Sequence, residues 1–263
     1  MSPARVAVIQ LPGVNCEAES VRALERVGLE ALVFRWTRSP AELRDHAAYL
    51  IPGGFSYQDR VRAGALAAKD PLLEVLAEEA ERGKPVLGIC NGAQVLVETG
   101  LVPGGGGVEL ALARNRMPRR SGYYTRWVYV RVEPSTCVFT RGLEGRLLPM
   151  PVAHGEGRFV GAQGRMEALA RGGQTPLRYA TADGRLAESF PDLPNGAEAS
   201  AAAVCNVRGN VLAIMPHPER VQDAHAVARS LPWRGPADEA APADADAPGL
   251  QLFQGLRRHL EHA

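Results

Sequence analysis

The chain has 263 residues, and its net charge of +1 with 22% charged residues is typical of an ordinary globular protein. A charge so close to zero argues against nucleic acid or an acidic membrane surface as a partner. The four cysteines include no C-x-x-C pair, which argues against a disulfide framework or zinc cluster and favours a reducing, cytoplasmic setting. The early apolar run at 6–9 is too short for a signal peptide, and no later stretch predicts a membrane span.

The first third of the chain alternates predicted strands and helices. Strands are expected at residues 5–11, 29–36, 49–51 and 85–89. Helices are expected after a cap at Asn15 and at residues 40–46 and 71–82. This βαβα order predicts a mostly parallel α/β sheet with helices on both faces and ligands at the carboxyl ends of its strands.

The rest of the chain predicts an antiparallel addition. Short strands are expected at 127–132, 147–152 and 158–160, followed by a hairpin of 201–207 with 211–215. A final amphipathic helix is expected at 250–262. Residues 232–248, rich in Pro, Ala and Asp, predict an exposed low-complexity loop. We therefore expect a single domain over residues 1–263.

The stretch 85–100 carries the most specific chemical signal. A buried strand runs into a helix that begins at Asn91, and Cys90 lies between them. Gly88 and Gly92 flank this cysteine, as a tight nucleophile elbow requires, because a Cβ beside the turn would clash. A thiol at a helix N-terminus is favoured as the thiolate. The alternative is an ordinary core cysteine, but the combined pattern favours a nucleophile.

A thiolate needs a base, and His154 and His217 are the two candidates worth weighing among six histidines. Pro218 keeps His217 extended, and side chains two residues apart in an extended chain point the same way. Glu219 can therefore orient the imidazole of His217. In isolation, the same three residues are equally compatible with a turn before a helix.

Acyl chemistry at a thiolate also needs amide donors for the oxyanion. The amide of Asn91 is one candidate, and a glycine amide from the strand-end pair Gly53–Gly54 is the natural second. Gln94, one helical turn past the cysteine, is suited to hold a polar substrate or to lie at the surface. No G-x-x-x-x-G-K-[ST] motif is present, so ATP binding by that route is not expected. The basic cluster at 114–120 favours a solvated loop or partner surface over nucleic acid.

Residues 88–94 (GICNGAQ) and 216–219 (PHPE) resemble the class I (triad) glutamine amidotransferases. Further segments, at 12–16, 52–57, 62–65, 153–159 and 209–220, resemble the glutaminase subunits of phosphoribosylformylglycinamidine synthase within that family. The likeness spans nearly the whole chain. One departure is Gln58, where those subunits carry glycine.

The resemblance implies a flavodoxin-like fold with an added antiparallel region and hydrolysis of L-glutamine to glutamate and ammonia. The ammonia would pass to a large synthetase subunit in purine biosynthesis, with a small assembly subunit in the complex. ATP and Mg²⁺ would bind to the synthetase, so the resemblance implies neither a cofactor nor a metal on this chain.

The resemblance also implies roles for particular residues. The triad would comprise Cys90 as nucleophile, His217 as general base and acid, and Glu219 as the orienting carboxylate. The remaining roles would be an oxyanion hole from the main chain of Gly54 and Asn91, a glutamine pocket lined by Gln94, Gly53 and Phe55, and a partner interface at His154, Glu156 and Arg158.

Two alternative functions remain open from the sequence. The first keeps the thiol chemistry but assigns it to another amidotransferase pathway or to the hydrolysis of a small amide or peptide. The second is a non-catalytic elbow-cysteine protein with a redox or stress role. That second class of protein has no need of an imidazole–carboxylate pair.

Overall fold

The computed structural model describes residues 3–223 and 247–262. Its strands are β1 (Arg5–Gln10), β2 (Glu30–Arg35), β3 (Ala48–Ile51), β4 (Val86–Ile89), β5 (Leu110–Arg114), β6 (Arg116–Met117), β7 (Arg120–Ser121), β8 (Tyr124–Val132), β9 (Leu147–His154), β10 (Glu156–Gly161), β11 (Leu177–Ala180), β12 (Ala201–Cys205) and β13 (Val211–Ile214). Nine of them form one sheet in the order β2-β1-β3-β4-β13-β12-β11-β8-β9.

The parallel half of this sheet runs from β2 to β13. Every residue of β3, β4 and β13 is buried, as expected for strands covered on both faces. The register pairs Ile51 with Gly88 and Ile214 with Ile89, so these three strands end side by side. The segments that follow them therefore meet at one edge of the sheet.

The antiparallel half runs from β13 through β12, β11 and β8 to β9. Two further ribbons, β5 with β10 and β6 with β7, pair outside this sheet. Strand β9 returns to the edge where the parallel strands end, because the carbonyl of Pro151 accepts a hydrogen bond from the amide of His217 at 2.9 Å. Both halves of the sheet thus border the same place.

The α-helices within the described ranges are α1 (Glu17–Arg26), α2 (Pro71–Glu81), α3 (Asn91–Glu98), α4 (Arg165–Arg171) and α5 (Leu250–Glu261). Helix α3 is central, since all its residues from Asn91 to Val97 are buried. None of these five helices combines the length and the apolar character that crossing a bilayer requires.

The predicted α/β class, a parallel core with an antiparallel addition, is confirmed. The four early strands, the hairpin and the last helix lie within a few residues of their predicted bounds. The predicted cap at Asn15 is wrong, since α1 is preceded by Cys16 and has no side-chain cap. The single-domain interpretation stays a prediction, and almost all of the predicted loop at 232–248 lies outside the described residues.

Two glycines allow α3 to approach the sheet. A Cβ added at Gly92 would lie 2.0 Å from the carbonyl oxygen of Ile51, and one at Gly88 would lie 2.5 Å from the carbonyl oxygen of Gly92. Neither backbone atom can move without shifting a strand or a helix. The structure therefore supplies the steric reason for both glycines in the elbow.

We expect Gly92→Ala to lower the free energy of unfolding by about 3 kcal/mol or more, because the added methyl group overpacks a rigid backbone contact. Urea unfolding measures the change. Gly107→Ala is the matched control, since a Cβ there meets nothing within 4 Å, and it should stay within about 0.5 kcal/mol of the parent. Equal stability of the two variants would contradict this account of the elbow.

Candidate active site

Cys90 occupies the turn between β4 and α3. Its φ of 51° is unusual for a residue with a side chain and carries a strain on the order of 1–3 kcal/mol. Its amide donates to the carbonyl of Ile214 at 2.8 Å, which helps to hold this conformation. The sulfur lies 3.6 Å from the carbonyl oxygen of Ala153. The first amides of α3 have no acceptor within the helix and favour negative charge on the sulfur.

His217 and Glu219 form a buried pair beyond the end of β13. Nδ1 of His217 lies 2.6 Å from Oε1 of Glu219, and the two residues are 2% and 0% exposed. Because the carboxylate accepts this hydrogen bond, Nδ1 carries the proton and Nε2 is left for other groups. The contact that the extended HPE sequence predicts is therefore present.

The imidazole of His217 also interacts with two thiols. Burial alone would lower its pKa, but the charge of Glu219, the charge of Cys90 and the proximity of the Cys16 and Cys90 sulfurs outweigh burial. The pKa of His217 is therefore raised well above 6.5. A protonated ring in this place stabilises negative charge on a neighbouring sulfur and can donate its proton.

Cys16 is a member of this site that the sequence analysis did not single out. It is 1% exposed, and its sulfur accepts a hydrogen bond from Nη2 of Arg220 at 3.1 Å. A Cβ added at Gly53 would lie 3.2 Å from this sulfur and 2.9 Å from Cε1 of His217. The order of the strands could have indicated its role, because Cys16 follows the carboxyl end of β1, at the sheet edge where the other site residues lie.

Potential metal ligands meet at one place within residues 3–223 and 247–262. One ligand atom from each of Cys16, His217 and Glu219 lies within 4.8 Å of the other two. However, the guanidinium of Arg220 already contacts the sulfur, and Glu219 already contacts the imidazole. The positive charge of Arg220 disfavours a cation here, so the donor set fits proton handling better than metal binding.

The two predicted oxyanion donors, Gly54 and Asn91, lie in segments that contact each other. Gly54 has φ +151°, and a Cβ on it would lie 2.4 Å from Cα of Val14. Asn91 begins α3, and its side-chain oxygen accepts a hydrogen bond from the amide of Ser56 at 2.9 Å. This contact ties the 53–56 segment to the start of the helix. The two sets of amides are thus physically connected.

The segment after Ser56 holds an unusual backbone. Tyr57, Gln58, Asp59 and Val61 have φ values of 52°, 60°, 51° and 72°, in the left-handed region that favours glycine. Glycine adopts such φ values without steric strain, whereas the side chain of Gln58 makes this conformation costly. Asp59 reaches the site by accepting a hydrogen bond from Nδ2 of Asn91 at 3.2 Å. Burial raises the pKa of Asp59, and the charge of Glu156 adds to the increase.

Two of the residues predicted to line a glutamine pocket, Gln94 and Phe55, contact other residues of the site. Nε2 of Gln94 donates to the carbonyl of Glu156 at 2.7 Å, and its Oε1 accepts from Asn91 at 2.9 Å. Gln94 therefore links two walls of the site. Phe55 is 47% exposed and lies against Tyr123, with ring centroids 6.4 Å apart.

The predicted interface residues lie in different surroundings. His154 is 2% exposed, and its ring packs on Gly157, so direct contact of this side chain with a partner is ruled out in this structure. The side chain of Glu156 is 27% exposed, and Arg158 is partly exposed. Glu156 and Arg158 remain available for a partner.

A comparison with known protein families identifies the family of this chain. Residues 3–260 match the family model of the CobB/CobQ-like glutamine amidotransferase domain. The chain belongs to this glutamine amidotransferase family.

Individual proteins of known identity resemble this chain over most of its length. This amidotransferase chain is 43% identical to phosphoribosylformylglycinamidine synthase subunit PurQ of Methanothrix thermoacetophila, over 98% of each chain. It is 44% identical to PurQ of Thermomicrobium roseum, over 83% of this chain and 88% of that protein. Among solved structures, PurLQS from Thermotoga maritima matches with a TM-score of 0.75 and 31% identity, over 99% of this chain and 100% of that chain.

Glu219→Gln removes the carboxylate charge but keeps the side-chain shape. We expect the pKa of His217 to fall below its present raised value, because burial then acts with less opposing charge. NMR titration of the histidine ring measures the pKa. Glu261→Gln, at an exposed ion pair on α5, is the matched control and should leave it unchanged.

The same variant should alter how stability depends on pH. The native pKa of His217 lies above 6.5, so its protonation stabilises the fold fully below about pH 6.5 and progressively less as pH rises through the native pKa. We expect Glu219→Gln to weaken this dependence. An unchanged pKa and an unchanged pH profile of unfolding would contradict the charge coupling.

Proposed function

We propose that this protein is the glutaminase subunit of phosphoribosylformylglycinamidine synthase. It hydrolyses L-glutamine to glutamate and ammonia and delivers the ammonia to a synthetase subunit. That subunit uses ATP to convert formylglycinamide ribonucleotide to its amidine. The observation that carries the proposal is the meeting of Cys90, His217 and Glu219 at one sheet edge, in a chain 43% identical to a PurQ subunit over 98% of its length.

The reaction begins at the sulfur of Cys90. The thiolate attacks the side-chain amide carbon of glutamine, a C–S bond forms, and the carbonyl electron pair moves onto oxygen. Amides of Gly54 and Asn91 stabilise this oxyanion, and losing one such donor costs about 2.7–4 kcal/mol of barrier in other enzymes. The carbonyl then re-forms and the C–N bond breaks as His217 gives its proton to the departing nitrogen. Ammonia leaves, and the glutamyl group remains on Cys90 as a thioester.

Water completes the cycle. His217, now neutral, takes a proton from the water that attacks the thioester, and the C–S bond breaks to release glutamate and restore Cys90. Glu219 holds the imidazole in one orientation throughout both steps and stabilises its protonated form. Gln94, Gly53 and Phe55 line the glutamine pocket.

The partners follow from the same proposal. The large synthetase subunit receives the ammonia and binds ATP and Mg²⁺, so this subunit needs no cofactor of its own. A small subunit helps to assemble the complex. Glu156 and Arg158, which are partly exposed next to the site, lie at the synthetase interface. The whole reaction belongs to purine biosynthesis in the cytoplasm.

Cys90→Ala tests the nucleophile in the assembled complex. We expect glutamine-dependent amidation to fall by at least about 10⁴-fold, because the sulfur that forms the thioester is lost. Amidation supported by free ammonium should persist, since the synthetase site is untouched. The rates are measured as amidine formation with each nitrogen source.

Cys205→Ala is the matched control, because this cysteine is buried in β12 and contacts Ser135 rather than the site. It should retain both activities. Undiminished glutamine-dependent amidation in Cys90→Ala would refute the assignment of the nucleophile. Release of glutamate without amidation of formylglycinamide ribonucleotide, with the synthetase present, would instead assign the glutaminase to another pathway.

A further inference from the structure

Asn115 is a buried polar residue that no part of the proposed reaction uses. It lies between β5 and β6 and is 2% exposed. Its backbone amide donates to the carbonyl of Gly155 at 2.9 Å. Its side-chain Nδ2 donates to the carbonyls of His154 at 2.7 Å and Gly122 at 3.0 Å. Its Oδ1 accepts from the amide of Gly157 at 3.2 Å and lies 3.0 Å from Nδ1 of His154.

The segment that Asn115 holds forms one wall of the site. The carbonyl of Ala153 lies against the sulfur of Cys90, and the carbonyl of Glu156 accepts from Gln94. Asn115 also bonds to Gly122 in a second segment. Gly122 precedes Tyr123, whose ring lies against Phe55. One buried amide side chain therefore ties two neighbouring segments of the site together.

The neighbours of Asn115 also determine the tautomer of His154. Two carbonyl groups can only accept, and the amide of Gly157 can only donate, so the side-chain oxygen and nitrogen of Asn115 cannot be exchanged. The oxygen therefore faces Nδ1 of His154. An oxygen acceptor requires a donor, so this nitrogen carries the proton whenever the ring is neutral.

The ring of His154 is neutral at physiological pH. Burial lowers its pKa to about 3, and the positive charge of His217 contributes to the decrease. The other titratable groups around this place are Cys90, whose sulfur lies against the preceding carbonyl, and Glu156, two residues further along. A neutral neighbour leaves the raised pKa of His217 intact, whereas a second cation would oppose it.

We propose that Asn115 is a positioning residue of this site. It fixes His154 as the Nδ1–H tautomer, and through residues 153–157 it holds carbonyl groups against Cys90 and Gln94. The consequence for activity rests on the proposed glutaminase function, whereas the consequence for the tautomer does not.

The unaltered protein provides the first test. In ¹⁵N-histidine NMR spectra at pH 7, we expect His154 to show a protonated Nδ1 and an unprotonated Nε2, and no titration between pH 5 and 8. Its signal is identified by its loss in His154→Gln. A protonated Nε2 or a titration in this range would overturn the proposal, whatever the activity of the protein.

The second test uses Asn115→Leu, which keeps the approximate size but removes every side-chain hydrogen bond. Asn195→Leu is the matched control, because Asn195 is also buried and donates to the carbonyl of Gly157, whereas its side-chain hydrogen bonds go to Gly157, Tyr179 and Ala197 and not to the ring of His154. We expect only Asn115→Leu to lose the Nδ1–H signature. Its glutamine-dependent kcat in the synthetase complex should fall roughly 10- to 100-fold, the scale of a misplaced site, with ammonium-dependent amidation retained.

Asn115→Asp separates the two effects. It keeps the acceptor for Nδ1 of His154 and should preserve the tautomer, but it places oxygen against the carbonyls of His154 and Gly122 and should lower kcat. Equal glutamine-dependent rates in Asn115→Leu and Asn195→Leu would overturn the positioning role. If the complex of the unaltered protein shows no glutamine-dependent amidation, the proposed function is refuted, but the result on the tautomer of His154 is unaffected.

Discussion

The close approach of α3 to the parallel strands is the constraint on which the site depends. Gly92 lies so near the carbonyl of Ile51 that no side chain fits between them, and Gly88 also lies too close to the helix for a side chain. This packing forces Cys90 into a positive φ and directs the free amides of α3 at the same place. Local propensity contributes little, because a helix of 8 residues is too short to be stable by itself, so tertiary burial stabilises it.

The two halves of the sheet supply different parts of the site. The parallel half places the nucleophile, the base and the glycine loop at the ends of adjacent strands. The antiparallel half supplies a wall, through the carbonyls of Pro151 and Ala153 on β9. Since the amide of His217 bonds to Pro151, the base is positioned by both halves at once.

Buried polar groups in this region are connected rather than isolated. Asn91 contacts Ser56, Asp59 and Gln94, and Asn115 makes a comparable set of contacts on the opposite wall. Within the described residues, three of the seven buried side-chain atoms without a hydrogen bond are Nε2 of His217, Oε2 of Glu219 and Nε2 of His154. Buried polar atoms are normally satisfied, so this unused capacity fits a place that substrate and water enter.

The sequence by itself determined the α/β class, the strand–Cys–helix elbow and the pairing of His217 with Glu219. Each follows from residues that are close together in the sequence: the alternation of strands and helices, the glycines on either side of a cysteine, and the extended H-P-E segment. The strand β11 was not predictable in this way, because four residues are too few to show a periodicity. Pairing with β8 and β12 on both sides makes β11 a strand.

Only the tertiary structure decided which distant residues join the site. Cys16 and Arg220 are 204 residues apart, yet their side chains touch beside His217. Asn115 and His154 are 39 residues apart and meet in the interior. Local spacing cannot encode such meetings, because they depend on strand order and register across the whole sheet. For the same reason His154, which the sequence assigns to a partner surface, is buried by the fold.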